Sequence, residues 1–134
     1  MKIKSAISVL IHSFLATLLL MQASHAQPLQ SPSEVVNSYL ASLVAGDVGV
    51  LVSLIDGAKK RDNPQLTLEP EYYGQFLKDH YRGAVVSVEE ISQDGDGWQA
   101  RVRFDFPTSG SQTTTLILRL VGGEWKVTDE IQEP

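Results

Sequence analysis

Four polar side chains could act together in catalysis: Asp129, His80, Tyr39 and Tyr73. A carboxyl group that is buried without a partner has a raised pKa, as a general base or a protonated donor requires. Tyr and His can donate a hydrogen bond to a substrate oxygen. These four residues are therefore the candidate set for general acid–base catalysis.

The environment of Asp129 depends on how the last two strands pair. Gly122-Gly123 predicts a two-residue hairpin turn, and this turn places Leu116 opposite Asp129. The carboxylate would then lie on a sheet face that otherwise carries Trp, Val and Leu. The alternative is that the strand frays after Val127, which leaves Asp129 in solvent.

His80 is the only histidine after residue 26. It could face the interior with Tyr73 and Phe76, or lie partly solvated at a helix end, where the helix dipole favours its charged form. The chain has no Cys and no His-x-x-x-His or Glu-x-x-His spacing, so we expect no metal site and no cofactor. No Ser-His-Asp order or glycine-rich phosphate loop supports nucleophilic or phosphoryl chemistry.

Three helices are predicted in the first half of the domain. A capping box at residues 31–34 begins a helix that ends at Gly46, and Asp47 caps a short apolar helix that ends at Gly57. Residues 58–68 predict a loop, whose cations Lys59, Lys60 and Arg61 either balance the acidic surface or contact an acidic partner. Pro70 begins a third helix with one shared face, formed by Tyr73, Phe76, Leu77, His80 and Tyr81.

From residue 84 onward apolar residues alternate with polar ones, which is the period of half-buried strands. A loop over residues 107–111 would place Val102 opposite Leu116, Trp98 opposite Leu120 and Gln99 opposite Arg119. A loop two residues longer would place Arg119 opposite Arg101, an unfavourable like-charge pair. The pattern predicts an α+β fold in which N-terminal helices pack on a curved four-stranded antiparallel sheet.

The chain begins like an exported precursor. Lys2 and Lys4 precede an apolar run over residues 6–21, and Ser24 and Ala26 suit cleavage after residue 26. As a helix the run would extend about 24 Å, shorter than a bilayer core. We therefore expect a signal peptide over 1–26, a single domain over 27–134, and a periplasmic or extracellular location.

The charge of the predicted mature domain excludes several partners. Nine of the eleven Lys and Arg and all sixteen Asp and Glu follow residue 26, which gives a net charge of about −7. Such a surface repels phosphate backbones and anionic lipids, so we expect no nucleic acid and no membrane anchor after cleavage.

The helix ending in Ala45-Gly46-Asp47 and the late strand Gly122-Gly123-Glu124-Trp125-Lys126-Val127 resemble the nuclear transport factor 2-like (NTF2-like) superfamily, in particular its small secreted bacterial members. The resemblance covers about residues 31–131. It implies a cone whose interior, between helices and concave sheet, can hold a ligand. The implied pocket would be lined by Tyr39, Tyr73, Phe76, Trp98, Val102, Phe104, Leu118 and Trp125.

Two functions follow from these observations. The first is a non-enzymatic module of the cell envelope that binds a small apolar molecule or an envelope protein. Its interaction surface would be Ile117, Arg119 and Val121 on the outer sheet face, which could also form a homodimer. The alternative is a cofactor-free isomerase or dehydratase for an apolar carbonyl compound, which the resemblance associates with pocket Asp, Tyr and His residues.

Overall fold

The computed structural model describes residues 28–134, so the predicted signal peptide over 1–26 lies outside the described residues. Five helices precede four strands. The helices are α1 (Pro32–Ala45), α2 (Val48–Leu54), α3 (Gly57–Arg61), α4 (Gln65–Leu68) and α5 (Pro70–His80). The strands are β1 (Val85–Asp94), β2 (Gly97–Phe106), β3 (Gly110–Val121) and β4 (Glu124–Gln132).

The predicted α+β architecture is confirmed: helices pack against one antiparallel sheet of order β1-β2-β3-β4. The capping residues act as the sequence indicates. Ser31 Oγ accepts a hydrogen bond from Glu34 N at 3.2 Å, and Asp47 Oδ1 accepts one from Val50 N at 3.2 Å. Gly46 ends α1 with a φ of 67°, a left-handed conformation that glycine adopts without strain.

The prediction of a loop over residues 58–68 is wrong, because α3 and α4 lie there. Asp56 caps α3 by accepting a hydrogen bond from Gly57 N at 2.7 Å, and α3 packs on β4. Both helices are short, so periodicity could not reveal them. Their position matters for function because α3 carries Lys59.

The predicted pairing of β2 with β3 is also wrong, by two residues. Val102 pairs with Thr114 and Trp98 with Leu118, because the connection covers only residues 107–109. The shift is an even number, so each side chain keeps the predicted face of its strand. The interior face therefore still carries Val102, Phe104 and Leu118.

The core lies between α1, α2 and the concave face of the sheet. Its fully buried side chains are Val35, Val36, Tyr39, Ile55, Val102, Thr114, Leu116, Leu118 and Val127. α2 is joined to the sheet edge, since Ile55 forms a parallel bridge with Val127 and Asp56 N donates to Val127 O at 3.1 Å. Within residues 28–134, no helix is both long and apolar enough to cross a membrane.

Candidate functional site

A β-bulge in β4 decides which carboxylate faces the interior. The hairpin pairs Leu120 with Trp125 and Leu118 with Val127, as the two-residue turn predicts. The next pair is Ile117 with Asp129, because Thr128 is an extra residue on β4. A single inserted residue reverses the alternation of side chains along the rest of the strand.

The predicted pairing of Leu116 with Asp129 is therefore wrong. Glu130 pairs with Leu116 and is half-buried, whereas Asp129 is exposed and opposite Ile117. The Asp129 carboxylate accepts a hydrogen bond from Glu130 N at 2.8 Å. Asp129 thus lacks the apolar environment that a buried base requires, and Glu130 takes the position that the sequence assigned to its neighbour.

Glu130 forms an ion pair with Lys59 of α3. The two side chains are only 22% and 20% exposed, so water screens this pair less than a surface pair. The Lys59 ammonium also lies 5.9 Å from the centre of the Tyr39 ring, within the range of a cation–π contact. Asn63 Nδ2 donates to Lys59 O at 2.6 Å and fixes the end of α3.

Three tyrosines lie within electrostatic reach of the Glu130 carboxylate: Tyr39, Tyr73 and Tyr81. Burial, and secondly the negative charge of Glu130, raise the pKa of Tyr39 well above its usual value and raise the pKa of Tyr73. The same two causes raise the pKa of Tyr81 to about 12. All three phenols therefore stay protonated at neutral pH and can only donate or accept hydrogen bonds as neutral groups.

The Tyr39 hydroxyl is buried and has no hydrogen-bond partner within residues 28–134. Glu130 is the carboxylate beside it and raises the pKa of Tyr39 both by its charge and by side-chain hydrogen bonding, although the contact falls outside ideal hydrogen-bond geometry. Tyr39, Lys59 and Glu130 thus form one cluster.

A second region lies on the solvent side of α5. Tyr72 and Phe76 are 73% and 50% exposed, and with Gln75, Asp79 and His80 they line an open cleft of about 310 Å³. The rings of Phe76 and His80 stack with centres 5.9 Å apart. Tyr72, Phe76 and His80, spaced by four residues on one helix, are called the aromatic face below.

His80 is exposed, and its ring packs edge-on against Tyr81 and Phe106, with centres 4.7 and 5.4 Å away. The prediction that Phe76 and His80 share a face with Leu77 is wrong, since Leu77 is buried while those two are exposed. Tyr73 and Tyr81 do pack against the core. The structure thus places His80 and Asp129 apart from the interior where Tyr39 lies.

The other predicted pocket residues fall into two groups. Tyr39, Val102, Phe104 and Leu118 are buried in the core, and Trp98 and Trp125 are half-buried against it. The pocket that they would line stays a prediction. In the part of the chain that the structure describes, no group of three or more His, Cys, Asp or Glu side chains could hold a metal ion.

The predicted interaction surface on the outer sheet face consists of Ile117, Arg119 and Val121. Each of these side chains is half-buried rather than fully exposed. Polar residues surround Ile117, which pairs with Gln99 on one side and with Asp129 on the other. The apolar side chains of this surface are therefore less exposed than Tyr72 and Phe76 of the aromatic face.

No protein-family model matches the sequence, and no curated protein matches it either. Solved structures do match. An NTF2-like protein of Campylobacter jejuni, provisionally assigned as a transpeptidase, is 17% identical with a TM-score of 0.56, and the match covers 75% of this chain and 99% of that one. An NTF2-like protein of unknown function from Silicibacter pomeroyi is 14% identical with a TM-score of 0.50, over 75% of this chain and 90% of the other.

Proposed function

Since this chain has the NTF2-like fold, we propose that it is an exported, non-enzymatic interaction module of the cell envelope, and that the aromatic face binds its partner. The export signal over 1–26 supports the location, with a mature chain that begins at Gln27. The same fold occurs in proteins with unrelated functions, so the fold alone does not identify a function and the exposed residues of the site carry the proposal.

The observation that carries this proposal is the exposure of Tyr72 and Phe76. Large aromatic side chains are enriched at protein interfaces, where one residue can bury a large apolar area at a small cost in side-chain entropy. Here two of them lie one helical turn apart, beside a cleft of about 310 Å³. This volume is at the lower end of the range for ligand pockets, so the cleft can accept a single side chain of a partner.

The partner that fits this face is a protein segment with an apolar side chain next to a basic one. The apolar side chain would fill the cleft beside the stacked rings of Phe76 and His80. The net charge of about −7 favours a basic partner and speeds its encounter. At the polar edge of the cleft, Asp79 is paired with Arg82 and accepts a hydrogen bond from Gln75 Nε2 at 3.1 Å, so a basic group of the partner would share this exposed carboxylate with Arg82.

The alternative, a cofactor-free isomerase or dehydratase acting on an apolar carbonyl compound, has one observation in its favour. Glu130 lies near three protonated tyrosines, which resembles a base beside hydrogen-bond donors. Asp129 could not be that base because it is exposed. Glu130, however, is already paired with Lys59, and this pairing opposes proton uptake from a substrate.

Site-specific photo-crosslinking in the cell envelope tests the proposal. A photoreactive residue at position 72 or 76 should crosslink one and the same partner, whereas position 50 should not. Val50 is a matched control, because it is 42% exposed but lies on α2. The crosslink from position 72 should disappear in Phe76→Ser and persist in the pair Ile117→Asp and Val121→Asp.

The location is tested on the same cells. The mature protein should fractionate with the envelope, and its N-terminus should be Gln27. A chain that stays in the cytoplasm would contradict the proposed export. Equal crosslinking from positions 50 and 76, or loss of the crosslink in the Ile117/Val121 pair alone, would contradict the role of the aromatic face.

A further inference from the structure

Aspartate followed by glycine is a pair of residues at which the main chain can rearrange. The glycine nitrogen attacks the side-chain carboxyl carbon of the aspartate, since glycine carries no side chain that would crowd the approach. The chain contains this pair three times: Asp56-Gly57, Asp94-Gly95 and Asp96-Gly97. The folded structure holds the three pairs in different ways, and the difference decides which of them can react.

Asp56-Gly57 is held in an unreactive arrangement at the start of α3. Gly57 N donates a hydrogen bond to Asp56 Oδ1 at 2.7 Å, so its N–H points at the carboxylate. The electrons that would attack lie perpendicular to the N–H bond, because the peptide group is planar. Asp56 N donates to Val127 O at 3.1 Å, and a Cβ on Gly57 would lie 3.2 Å from Thr128 Cβ. These contacts oppose the rotation that the attack requires.

Asp96-Gly97 is restrained by the sheet. Gly97 is buried at the start of β2 and pairs with Asp94. A Cβ on Gly97 would lie 2.7 Å from Leu118 O and would also meet the Arg119 guanidinium. The attack closes a ring on the Gly97 nitrogen, and the neighbouring strand and side chain leave little room for that ring.

Asp94-Gly95 lacks both kinds of restraint. The two residues are exposed at the turn between β1 and β2, and nothing lies within 4 Å of a Cβ built on Gly95. Gly95 has a φ of 61° and Asp96 has no positive φ, which is the pattern of a type II′ turn. Within residues 28–134, Gly95 N donates no backbone hydrogen bond in this turn. This nitrogen is therefore free to turn toward the Asp94 carboxyl group.

We propose that Asp94 is a site of spontaneous isoaspartate formation. Gly95 N bonds to Asp94 Cγ and loses its proton while the carboxyl group loses one oxygen, so a water molecule leaves and a cyclic imide remains. Water then adds to either carbonyl group of the imide and breaks the bond from that carbonyl to the Gly95 nitrogen. Opening at the main-chain carbonyl gives isoaspartate, and opening at the side-chain carbonyl restores aspartate. The net mass is unchanged, and no other reactant is needed.

Isoaspartate at position 94 changes the end of the hairpin. The main chain then runs through the former side chain and gains one CH₂ group, while the former main-chain carbonyl becomes a free carboxylate. Arg119 Nη1 donates to Asp94 O at 3.4 Å, so the new carboxylate forms beside this cation. The longer turn no longer fits the pairing of Asp94 with Gly97, and we expect this last pair to open. The turn is separate from the aromatic face, so the inference does not depend on the proposed function.

Ageing the purified protein in water enriched in a heavy oxygen isotope tests the proposal, because each opening of the imide adds one labelled oxygen. After digestion with trypsin in ordinary water, Asp94 lies in the peptide that ends at Arg101 and Asp56 in the peptide that ends at Lys59. Fragmentation of each peptide in a mass spectrometer locates the label. We expect label and isoaspartate at Asp94 and none at Asp56. In urea, where the fold is lost, both aspartates should become labelled.

Two variants separate the neighbouring aspartates of the turn. Asp94→Glu should remove most of the label from the peptide that ends at Arg101, because glutamate must close a larger ring, which forms more slowly. Asp96→Glu is the matched control and should keep the label. An unlabelled wild-type peptide, equal labelling of Asp56 and Asp94 in the folded protein, or persistence of the label in Asp94→Glu would each overturn the proposal.

Discussion

Tyr72 and Tyr73 are neighbours on α5, but they lie in opposite environments. Tyr72 is 73% exposed and belongs to the aromatic face, whereas Tyr73 packs against the core and senses the charge of Glu130. Leu77 and Phe76 repeat the contrast one turn later, since Leu77 is buried and Phe76 is half exposed. One helix therefore presents apolar residues to two sides.

The difference between the two sides shows which apolar residues serve stability and which remain available for binding. The inner side of α5 is held tightly, because Gly74 meets Gly46 backbone to backbone and lets the helices α1 and α5 approach closely. The outer side contacts little besides its own helix and the edge of β2, through His80 and Phe106. Substitutions on the two sides should therefore have different consequences.

The largest expected effect is the loss of the buried side chain at position 77. Leu77→Ala should lower the free energy of unfolding by about 3 kcal/mol, because it removes packed methyl groups and leaves a cavity. Phe76→Ala is the matched variant on the outer side and should cost less than about 1 kcal/mol. Chemical denaturation of both variants measures the difference, and equal losses would contradict the two-sided description of α5.

The next effect concerns alkaline pH and Tyr81, at the end of α5 on its inner side. The folded-state pKa of Tyr81 is about 12, above the usual value of 10.0, so the folded state holds the phenol proton more tightly than the unfolded state does. The stability that this shift contributes is fully present below about pH 10 and is lost as the pH rises to about 12.

For Tyr81 alone the full shift corresponds to about 3 kcal/mol on the scale of 1.4 kcal/mol per pKa unit. Tyr81→Phe should therefore lose less stability than the wild type between about pH 10 and pH 12. Urea denaturation across this range is the measurement. A Tyr81→Phe curve that runs parallel to the wild type would contradict the raised pKa.

The smallest effect contrasts two helical glycines. A Cβ on Gly74 would lie 2.7 Å from Gly46 O, whereas a Cβ on Gly49 would have its nearest neighbour, a flexible Asp47 oxygen, at 3.7 Å. Gly74→Ala should destabilise the protein by about 1 kcal/mol, because crowding outweighs the gain in helix propensity. Gly49→Ala should stabilise it by up to about 1 kcal/mol. Thermal denaturation that shows the same sign for both would contradict the close approach of α1 and α5.

Much of the fold could be predicted from local patterns. The capping residues Ser31 and Asp47, the helix end at Gly46 and the hairpin at Gly122-Gly123 depend on neighbouring residues, and the structure agrees with all of them. Other features depend on partners far along the chain. Nothing near Thr128 in the sequence indicates a bulge, and the four to five residues of α3 and α4 are too few for a periodic pattern.

The candidate site shows the same division. Tyr39 was predicted to face the interior and is buried there, but Lys59 and Glu130 were not recognised as partners because 71 positions separate them. Counting from the two-residue turn correctly predicts that Val127 lies opposite Leu118. The same count fails at Asp129, two residues later, because of the extra residue Thr128. An even error in register, as between β2 and β3, leaves each face unchanged, whereas a single inserted residue exchanges the two faces.

By itself the sequence determined the order of the three longer helices and the four strands, the two-residue period of the sheet and the polarity of the strand faces as far as the bulge at Thr128, because these properties depend on residues close together in the chain. Only the tertiary structure decided that Glu130 rather than Asp129 faces Tyr39. The bulge at Thr128 fixes that choice, and it lies beside the contacts of Ile55 and Asp56 with Val127 and the packing of α3 on β4, which join distant segments. The tertiary structure also decided which side of α5 is buried, since the spacing of its apolar residues allows either.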